Sequence, residues 1–425
     1  MSGSDKNVLA LVVGGGPAPG INGVISAATI EARNHGWDVV GCLDGFQWLA
    51  QGDDQHFRPL EISDVSRIDR RGGSILRTAR ANPTKDPEQM ANVVRVLEGR
   101  GVTHLITIGG DDTAYTSSRI EEFAEGRLKT AHVPKTIDND LPLPESVPTF
   151  GYETARSVGV EIVQNLNEDA RTTGRWYFVV AMGRTAGHLA LGIGKAAAAT
   201  LTLIPEEFGS ENAEISVTHV ADILEGSILK RLASGKNYGV AILAEGLASQ
   251  MREDDLSKFG KLEHDEHGHI RLGEIELGSV FKATIGKRLK ARGHKTTIVS
   301  KNLGYELRCA DPIPFDAAYT RDLGYAAVKF LREGGSGALI SVVGGALTPI
   351  PFQKLLDPET HRTSVRRVNV QSESYEVARR YMIRLNPSDF SIPEKLDRLA
   401  NMARTSAEEF RKQFGYLVES PTSGR

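Results

Sequence analysis

"VTHLITIGGDDTAYTSSRIEEFAEG", Val102 to Gly126, begins as a β-branched and aliphatic run, turns on two glycines and two aspartates, and continues as a helical stretch. The apolar run is too short for a helix and does not alternate with polar residues. It therefore reads as a strand buried on both faces, which belongs to a parallel sheet covered by helices. The same unit recurs in both directions. "NVLALVV" at Asn7–Val13 is a buried strand, followed by a helical "GINGVISAATIEARNHG" ending at Gly36, and "WDVVGCL" is the next strand. "DPEQMANVVRVLEGRG" is a helix: Asp86 caps it, Pro87 suits its first turn, and Met90, Val93, Val94 and Leu97 fall at i, i+3, i+4 and i+7. Further on, "RWYFVVAMG", "ATLTLIP", "YGVAILAEG", "KTTIVS" and "GALISVVGG" each read as one buried strand with helices between them. The expectation is an α/β fold with mainly parallel sheets. The strands are too many for one modest sheet, so two α/β domains are expected. "YEVARRYMIRL" and "PEKLDRLANMARTSAEEFRKQFGYL" predict a helical C-terminal region, with Leu396, Leu399, Ala403, Phe410 and Phe414 as packing residues.

The bulk composition narrows the function classes. A chain of 425 residues accommodates two or three domains of about 150 residues each. With 40% hydrophobic and 25% charged residues it is an ordinary globular chain. Lys and Arg total 51 against 54 Asp and Glu, a net charge of −3, which argues against nucleic acid as the main partner. Two cysteines, Cys42 and Cys309, form neither a disulfide framework nor a metal spacing, which suits a reducing cytoplasm. The first residues lack a basic n-region, and Val8–Val13 is far too short to span a bilayer, so neither secretion nor a membrane is expected. The stretch Gln250–Gly273, with His264, His267 and His269 in "KLEHDEHGH", meets no structural metal spacing and reads as a solvated loop or hairpin.

In open α/β sheets ligands bind outside the carboxyl ends of strands. Three successive strand ends carry "GGGPAPGIN" (Gly14–Asn22), "GGDDT" (Gly109–Thr113) and "PKTIDND" (Pro134–Asp140). Each alone has a plain reading. A glycine turn before a helix is often only a turn, an aspartate after a glycine often only a cap, and a charged loop often merely solvated. Together they suit phosphate, because glycines let backbone N–H groups approach and helix N-termini favour anions. No Walker A sequence is present, which disfavours a P-loop enzyme. Arg77 and Arg80 in "RTARANP", Arg175 and Arg184 flanking "RWYFVVAMGR", and Arg308 beside Tyr305 in "GYELRC" are further candidates, since the planar guanidinium binds two phosphate oxygens.

Taken in order, "GGGPAPGIN", "RTARANP", "GGDDT", "PKTIDND", "AMGR" and "LGYELR" resemble the phosphofructokinase family, over roughly Val8 to Ala346. The resemblance implies two Rossmann-like domains with the active site in the cleft between them. It implies a phosphate-donor domain of residues 1–150 plus about 310–345, and a sugar-phosphate domain of 151–309 completed by a helical 346–425. Asp112 and Lys135 stand where ATP-dependent members typically have glycine, and so resemble the pyrophosphate-dependent branch. An aspartate at 112 fills the room that a nucleotide's α-phosphate needs and repels it. Lys135 would put positive charge beside the transferred group.

The resemblance also implies roles. Asp138 looks like the general base, with Asp140 as the second carboxylate and Thr136 bonding the transferring group. Gly15, Gly16, Gly110, Asp112 and Arg80 look like the pyrophosphate site, and Asp111 like the Mg2+-linked carboxylate. Met182, Gly183, Arg184 and Glu245 resemble sugar contacts, and Tyr305 and Arg308 resemble the holders of a 6-phosphate. Arg175 is similar to an arginine donated into a neighbour's site, which implies a homodimer or larger. The implied activity is reversible transfer from pyrophosphate to the 1-hydroxyl of fructose 6-phosphate, with Mg2+ as cofactor. The alternatives are ATP as donor, or sedoheptulose 7-phosphate as preferred acceptor. The second is motivated by Val299, where the family often has a phosphate-binding arginine. Tyr305 stands where many members have histidine, and Cys309 and Ala310 replace a common glycine pair. No basic effector pocket can be traced, so strong allosteric control is not expected. "GGDDT" alone would also suit a lipid or NAD kinase, but that leaves "TIDND" and "MGR" without a role. Intact Asp138, Asp140 and Arg184 argue against a catalytically dead regulatory subunit.

Overall fold

Val8–Val13 is aliphatic throughout because it is covered on both sides. In the computed structural model, which describes residues 6–144, 147–210, 213–256, 276–355 and 363–418, it lies inside a seven-stranded sheet. The strand order is Ile350–Pro351, Ala338–Leu339, Lys129–Pro134, His104–Gly109, Val8–Val13, Asp38–Cys42, Phe57–Pro59. The inner five pair in parallel and the outermost strand at each edge is antiparallel. Leu9, Leu11 and Val13 pack with Val24, Ile25, Leu323 and Ala327 of the Ile21–Asn34 and Pro314–Arg332 helices. Ala10 and Val12 pack on the other face with Val93, Leu97 and Ile120. Side chains alternate along a strand, so two covered faces require apolar residues at every position. The two helices cross closely at Gly324, where a Cβ would lie 2.7 Å from the Val24 carbonyl oxygen.

The chain runs from Val8–Val13 outward to Phe57–Pro59, then returns to the opposite side of the first strand at His104–Gly109. This reversal leaves the carboxyl ends of Val8–Val13 and His104–Gly109 side by side with a crevice between them. Both expected glycine turns leave from these two ends.

A second sheet contains Leu201–Leu203, Gly239–Ala244, Arg175–Ala181 and Thr297–Leu303 in that order, all parallel. The C-terminal helices Pro393–Ala403 and Ala407–Phe414 complete its core, and Leu396, Leu399, Ala403, Phe410 and Phe414 are all buried there. Arg292 bonds the Glu225 carboxylate at 2.6 Å and the Ala403 carbonyl at 2.6 Å, tying these helices down. The first compact unit comprises Met1–Val158 and Tyr305–Arg366, the second Gly159–Gly304 and Arg367–Arg425. Tyr305 and Arg308 thus fall in the unit of the seven-stranded sheet, as do residues 346–366, a different division from that implied by the resemblance. Among the described residues no helix is long and apolar enough to cross a membrane.

"GALISVVGG" is not one strand. Ala338–Leu339 joins the main sheet, while Val342–Val343 pairs with Ala346–Leu347 in a separate hairpin. Gly344 and Gly345 have φ of 57° and 81°, the left-handed pair that a two-residue hairpin turn requires. The histidines of "KLEHDEHGH" lie outside the described residues; among those described no group of three metal-ligating side chains forms.

The long helix Tyr152–Thr173 begins beside the candidate site and is capped from a distant element. Asp316 accepts hydrogen bonds from the Gly151 N–H (2.9 Å), the Thr154 N–H (2.7 Å) and the Thr154 hydroxyl (2.6 Å), and it is fully buried. An anion at a helix N-terminus also gains from the aligned peptide dipoles. Asp316→Ala leaves buried donors unpaired and is expected to lower stability by about 3 kcal/mol, read as a fall in the urea midpoint at unchanged slope. A midpoint within error of the wild type contradicts it.

Candidate functional site

The crevice of the first unit gathers most of the expected residues. Gly14 and Gly15 follow Val13 as a turn, with the Gly14 N–H donating to Ile108 O at 2.9 Å and Gly15 at φ 78°. The 77–83 loop is fastened onto this turn: the Gly15 N–H donates to Ala79 O at 3.0 Å, and the Thr78 hydroxyl bonds Val13 O and Gly15 O. That presents Arg80 beside the glycines, with its side chain exposed. Arg77 instead points away and pairs with Asp44 at 2.7 Å.

At the neighbouring strand end, Gly110 caps the Asp111–Ala124 helix, and Asp111 and Asp112 occupy its first turn. Gly109 has no alternative here, since a Cβ would lie 2.3 Å from Thr113. After the third strand, Lys135 is pinned by its N–H to Gly109 O at 2.8 Å. Its ammonium reaches back to the Gly16 carbonyl and is 4% exposed. Arg308 arrives from the other side: an added Cβ at Gly16 would sit 3.5 Å from its guanidinium carbon. The Arg308 guanidinium also stacks over the Tyr305 ring, 5.0 Å from its centre.

Burial pushes the Lys135 ammonium down to about 8, and the Arg308 guanidinium pushes the same way, as does Arg80 more weakly; Asp138 and Asp111 resist. Burial is the largest cause, and the two cations add to it against the two carboxylates. The carboxylates show the converse. Asp140 is raised to about 6 by burial and by Asp111, against bonds from its own backbone and Thr136 and the pull of Arg366. Cations and carboxylates thus lie side by side at these strand ends.

The loop bearing Asp138 is densely hydrogen-bonded. The Thr136 hydroxyl accepts the Asp138 N–H at 3.0 Å and bonds the Asp140 carboxylate, so Thr136 is engaged within the loop. Asn139 takes a left-handed φ of 56°, a conformation that asparagine tolerates, and its side chain accepts the Thr149 N–H at 3.0 Å. Arg366, absent from the sequence expectations, bonds this loop repeatedly.

In the second unit Met182, Gly183, Arg184 and Glu245 come together at adjacent strand ends. The Gly183 N–H donates to Glu245 at 3.2 Å, Gly183 has φ 148°, and the Met182 N–H donates to Leu303 O at 2.9 Å. Arg184 projects exposed. Arg175 is not part of this group. It begins the strand whose far end carries Met182, about 20 Å along the strand, and lies 3.8 Å from Asp169.

Parallel strands whose carboxyl ends gather glycines, a buried lysine, arginines and paired carboxylates define an anion-handling α/β protein. Comparison with known proteins makes the class specific. The sequence model of the family described as "Phosphofructokinase" matches residues 8–331. A protein of Thermotoga maritima named "Pyrophosphate--fructose 6-phosphate 1-phosphotransferase" is 52% identical over 418 residues, covering 97% of this chain and 99% of that one. A protein of Naegleria fowleri with the same name is also 52% identical, covering 97% of each. The chain belongs to the phosphofructokinase family. Solved structures agree on the fold. The pyrophosphate-dependent phosphofructokinase from Nitrosospira multiformis superposes with a TM-score of 0.67 at 15% identity, covering 94% of this chain and 92% of that one. Pichia pastoris phosphofructokinase in the T-state superposes at 0.65 and 21% identity; 96% of this chain spans 39% of that larger one.

Proposed function

We propose that this protein transfers a phosphoryl group from pyrophosphate to the 1-hydroxyl of fructose 6-phosphate, reversibly, giving fructose 1,6-bisphosphate and phosphate. The observation that carries the reading is Lys135, a buried ammonium whose pKa is lowered by Arg308 and Arg80 as well as by burial. A polyanion seated beside it relieves that repulsion. The relatives' printed names point to the same donor and acceptor.

In this reading Gly15, Gly16, Gly110 and Arg80 hold the pyrophosphate, and Asp112 excludes a nucleotide's α-phosphate. Asp138 takes the proton of the sugar hydroxyl. As the new oxygen–phosphorus bond forms, the bond from phosphorus to the bridging oxygen breaks, and the leaving group departs as phosphate. Lys135 is charged next to the moving group, where electrostatic stabilisation matters most. Thr136 orients Asp138 and Asp140. Met182, Gly183, Arg184 and Glu245 take the sugar, with Tyr305 near its phosphate. Arg308, assigned by resemblance to the 6-phosphate, is placed here against Gly16, so we assign its charge to the donor end as well.

Asp111 and Asp140 fit a divalent cation, since Asp111 raises the cost of ionising the buried Asp140 and Mg2+ typically takes one or two carboxylates plus phosphate oxygens. Bound there, Mg2+ supplies charge neutralisation of the phosphates. Arg175 sits at the strand end away from its own chain's Arg184, which supports its donation to a partner's site in a homodimer or larger assembly. Free Cys42 and Cys309 support a cytoplasmic location.

The test is turnover of fructose 6-phosphate with Mg2+ and either pyrophosphate or ATP, on wild type and on Asp112→Gly/Lys135→Gly. The wild type is expected to use pyrophosphate and to disfavour ATP by at least about a hundredfold, with pyrophosphate activity lost in the double variant. Equal use of ATP by the wild type overturns the donor assignment.

A further inference from the structure

We infer that Arg366 is a positioning residue for the reaction: it locks the loop carrying Asp138 and Asp140 into its working shape. The inference deepens the function proposed above and rests on it. Arg366 Nε donates to Asn139 O at 3.1 Å. Its NH1 group faces Leu143 O, Pro144 O and Val147 O at 3.3, 3.2 and 2.8 Å. Its NH2 group bonds the Asn139 side-chain oxygen, and its backbone N–H donates to Asp140 O at 2.7 Å. One residue therefore gathers both ends of the stretch from Asn139 to Val147, 227 positions away from Asn139 in sequence.

Three features make this more than a surface contact. Asn139 is the residue between the two candidate carboxylates, and it is held in a left-handed conformation. Arg366 bonds both its main-chain and side-chain oxygens, so the left-handed residue is held through both. Finally, Arg366 is itself anchored. The Ser364 N–H donates to Leu355 O at 2.9 Å, and two residues on, the Val368 N–H donates to Glu206 at 3.0 Å within the second unit. The planar guanidinium fork suits several carbonyls at once, whereas a lysine offers one point charge. Arg366 is not assigned a contact with either substrate. Its effect passes through the loop.

The test compares Arg366→Ala and Arg366→Lys with wild type in saturating Mg2+, with hydrogen exchange of residues 136–147 measured on the same proteins. Removing the fork is expected to lower kcat by about a hundredfold, with KM for pyrophosphate and for fructose 6-phosphate moving less than about threefold, since an ångström of misplacement costs about that much. Arg366→Lys is expected to recover no more than about tenfold of this. Exchange of the 136–147 segment rises in both variants. Lys230→Ala, which breaks the 2.5 Å pair with Asp389, controls for a general loss of stability and is expected to keep the wild-type kcat. A kcat within twofold of wild type for folded Arg366→Ala, or a loss confined to KM, overturns the inference. If the alanine variant does not fold, Arg366→Lys decides by the same kcat criterion. A wild type inactive with pyrophosphate refutes the proposed function instead, and the exchange data then test the loop-locking role by itself.

Discussion

Asp138→Asn is expected to lower kcat by about a thousandfold while KM for both substrates stays within about threefold. A positioned general base contributes about 10²–10⁴ in rate. The substitution keeps the side-chain shape and leaves the Asp138 backbone N–H free to donate to Thr136, so the loop should hold. Asparagine cannot accept the proton of the sugar hydroxyl, and no equivalent base replaces it: Asp140 is occupied by its bonds to Thr136 and its proximity to Asp111. One side effect has to be separated. Asp138 is the chief group holding the Lys135 pKa up, so its loss pushes that ammonium further down and weakens pyrophosphate binding at alkaline pH. Measured at a pH well below the wild-type value of about 8, the loss should fall in kcat. Steady-state kinetics in both directions check it, because microscopic reversibility requires the same residue to return the proton. Turnover within tenfold of wild type removes Asp138 from the role.

The strand ends of the first unit were legible in the sequence for a physical reason. A strand buried on both faces is mostly apolar, and polar side chains can pair inside it, as Thr107 does with His132, so its end is marked by a glycine or a charge, as at Gly14, Gly109 and Lys135. The topology then brings those three ends together, because Val8–Val13, His104–Gly109 and Lys129–Pro134 are consecutive parallel neighbours in the sheet. The helix read at Pro87–Gly99 kept both its Asp86 cap and its apolar stripe. What escaped depends on distance or on backbone freedom. Nothing near Arg366 signals that its partners lie beyond two hundred residues upstream. "GALISVVGG" has the apolar content of one strand, and only the paired positive φ angles of Gly344 and Gly345 divert its second half into a hairpin. Arg77 and Arg80 are equivalent on paper, yet the left-handed turn at Arg77 (φ 59°) sends it to Asp44 and leaves Arg80 beside the glycines. Arg308 follows another strand end by sequence, but the unit boundary at Gly304 assigns it to the sheet that carries Lys135.

The second large effect concerns Lys135 and its sign with pH. The folded value of about 8 lies below the ordinary 10.5, because the charged form is buried among like charges. Without ligand, the unfolded chain holds a proton between about pH 8 and 10.5 that the folded protein has released. Stability from this group therefore rises with pH across that window and is lowest below it. Pyrophosphate binding runs the other way. The anion needs the ammonium, so affinity is full below about pH 8 and falls by up to about tenfold per pH unit above it. Lys135→Met removes the titrating group. Its kcat/KM for pyrophosphate is expected to fall by about a hundred- to a thousandfold at pH 7, the size associated with losing one preorganised donor at developing charge. The decisive observation is the difference between the two pH profiles, because pyrophosphate's own ionisation and its metal binding are common to both. A break near pH 8 in the wild-type KM for pyrophosphate that is missing in Lys135→Met assigns the titration to this lysine. Parallel profiles, or a variant that keeps wild-type kcat/KM, would mean that Arg308 and Arg80 hold the anion alone and that the buried ammonium serves only to tie the Gly16 turn in place.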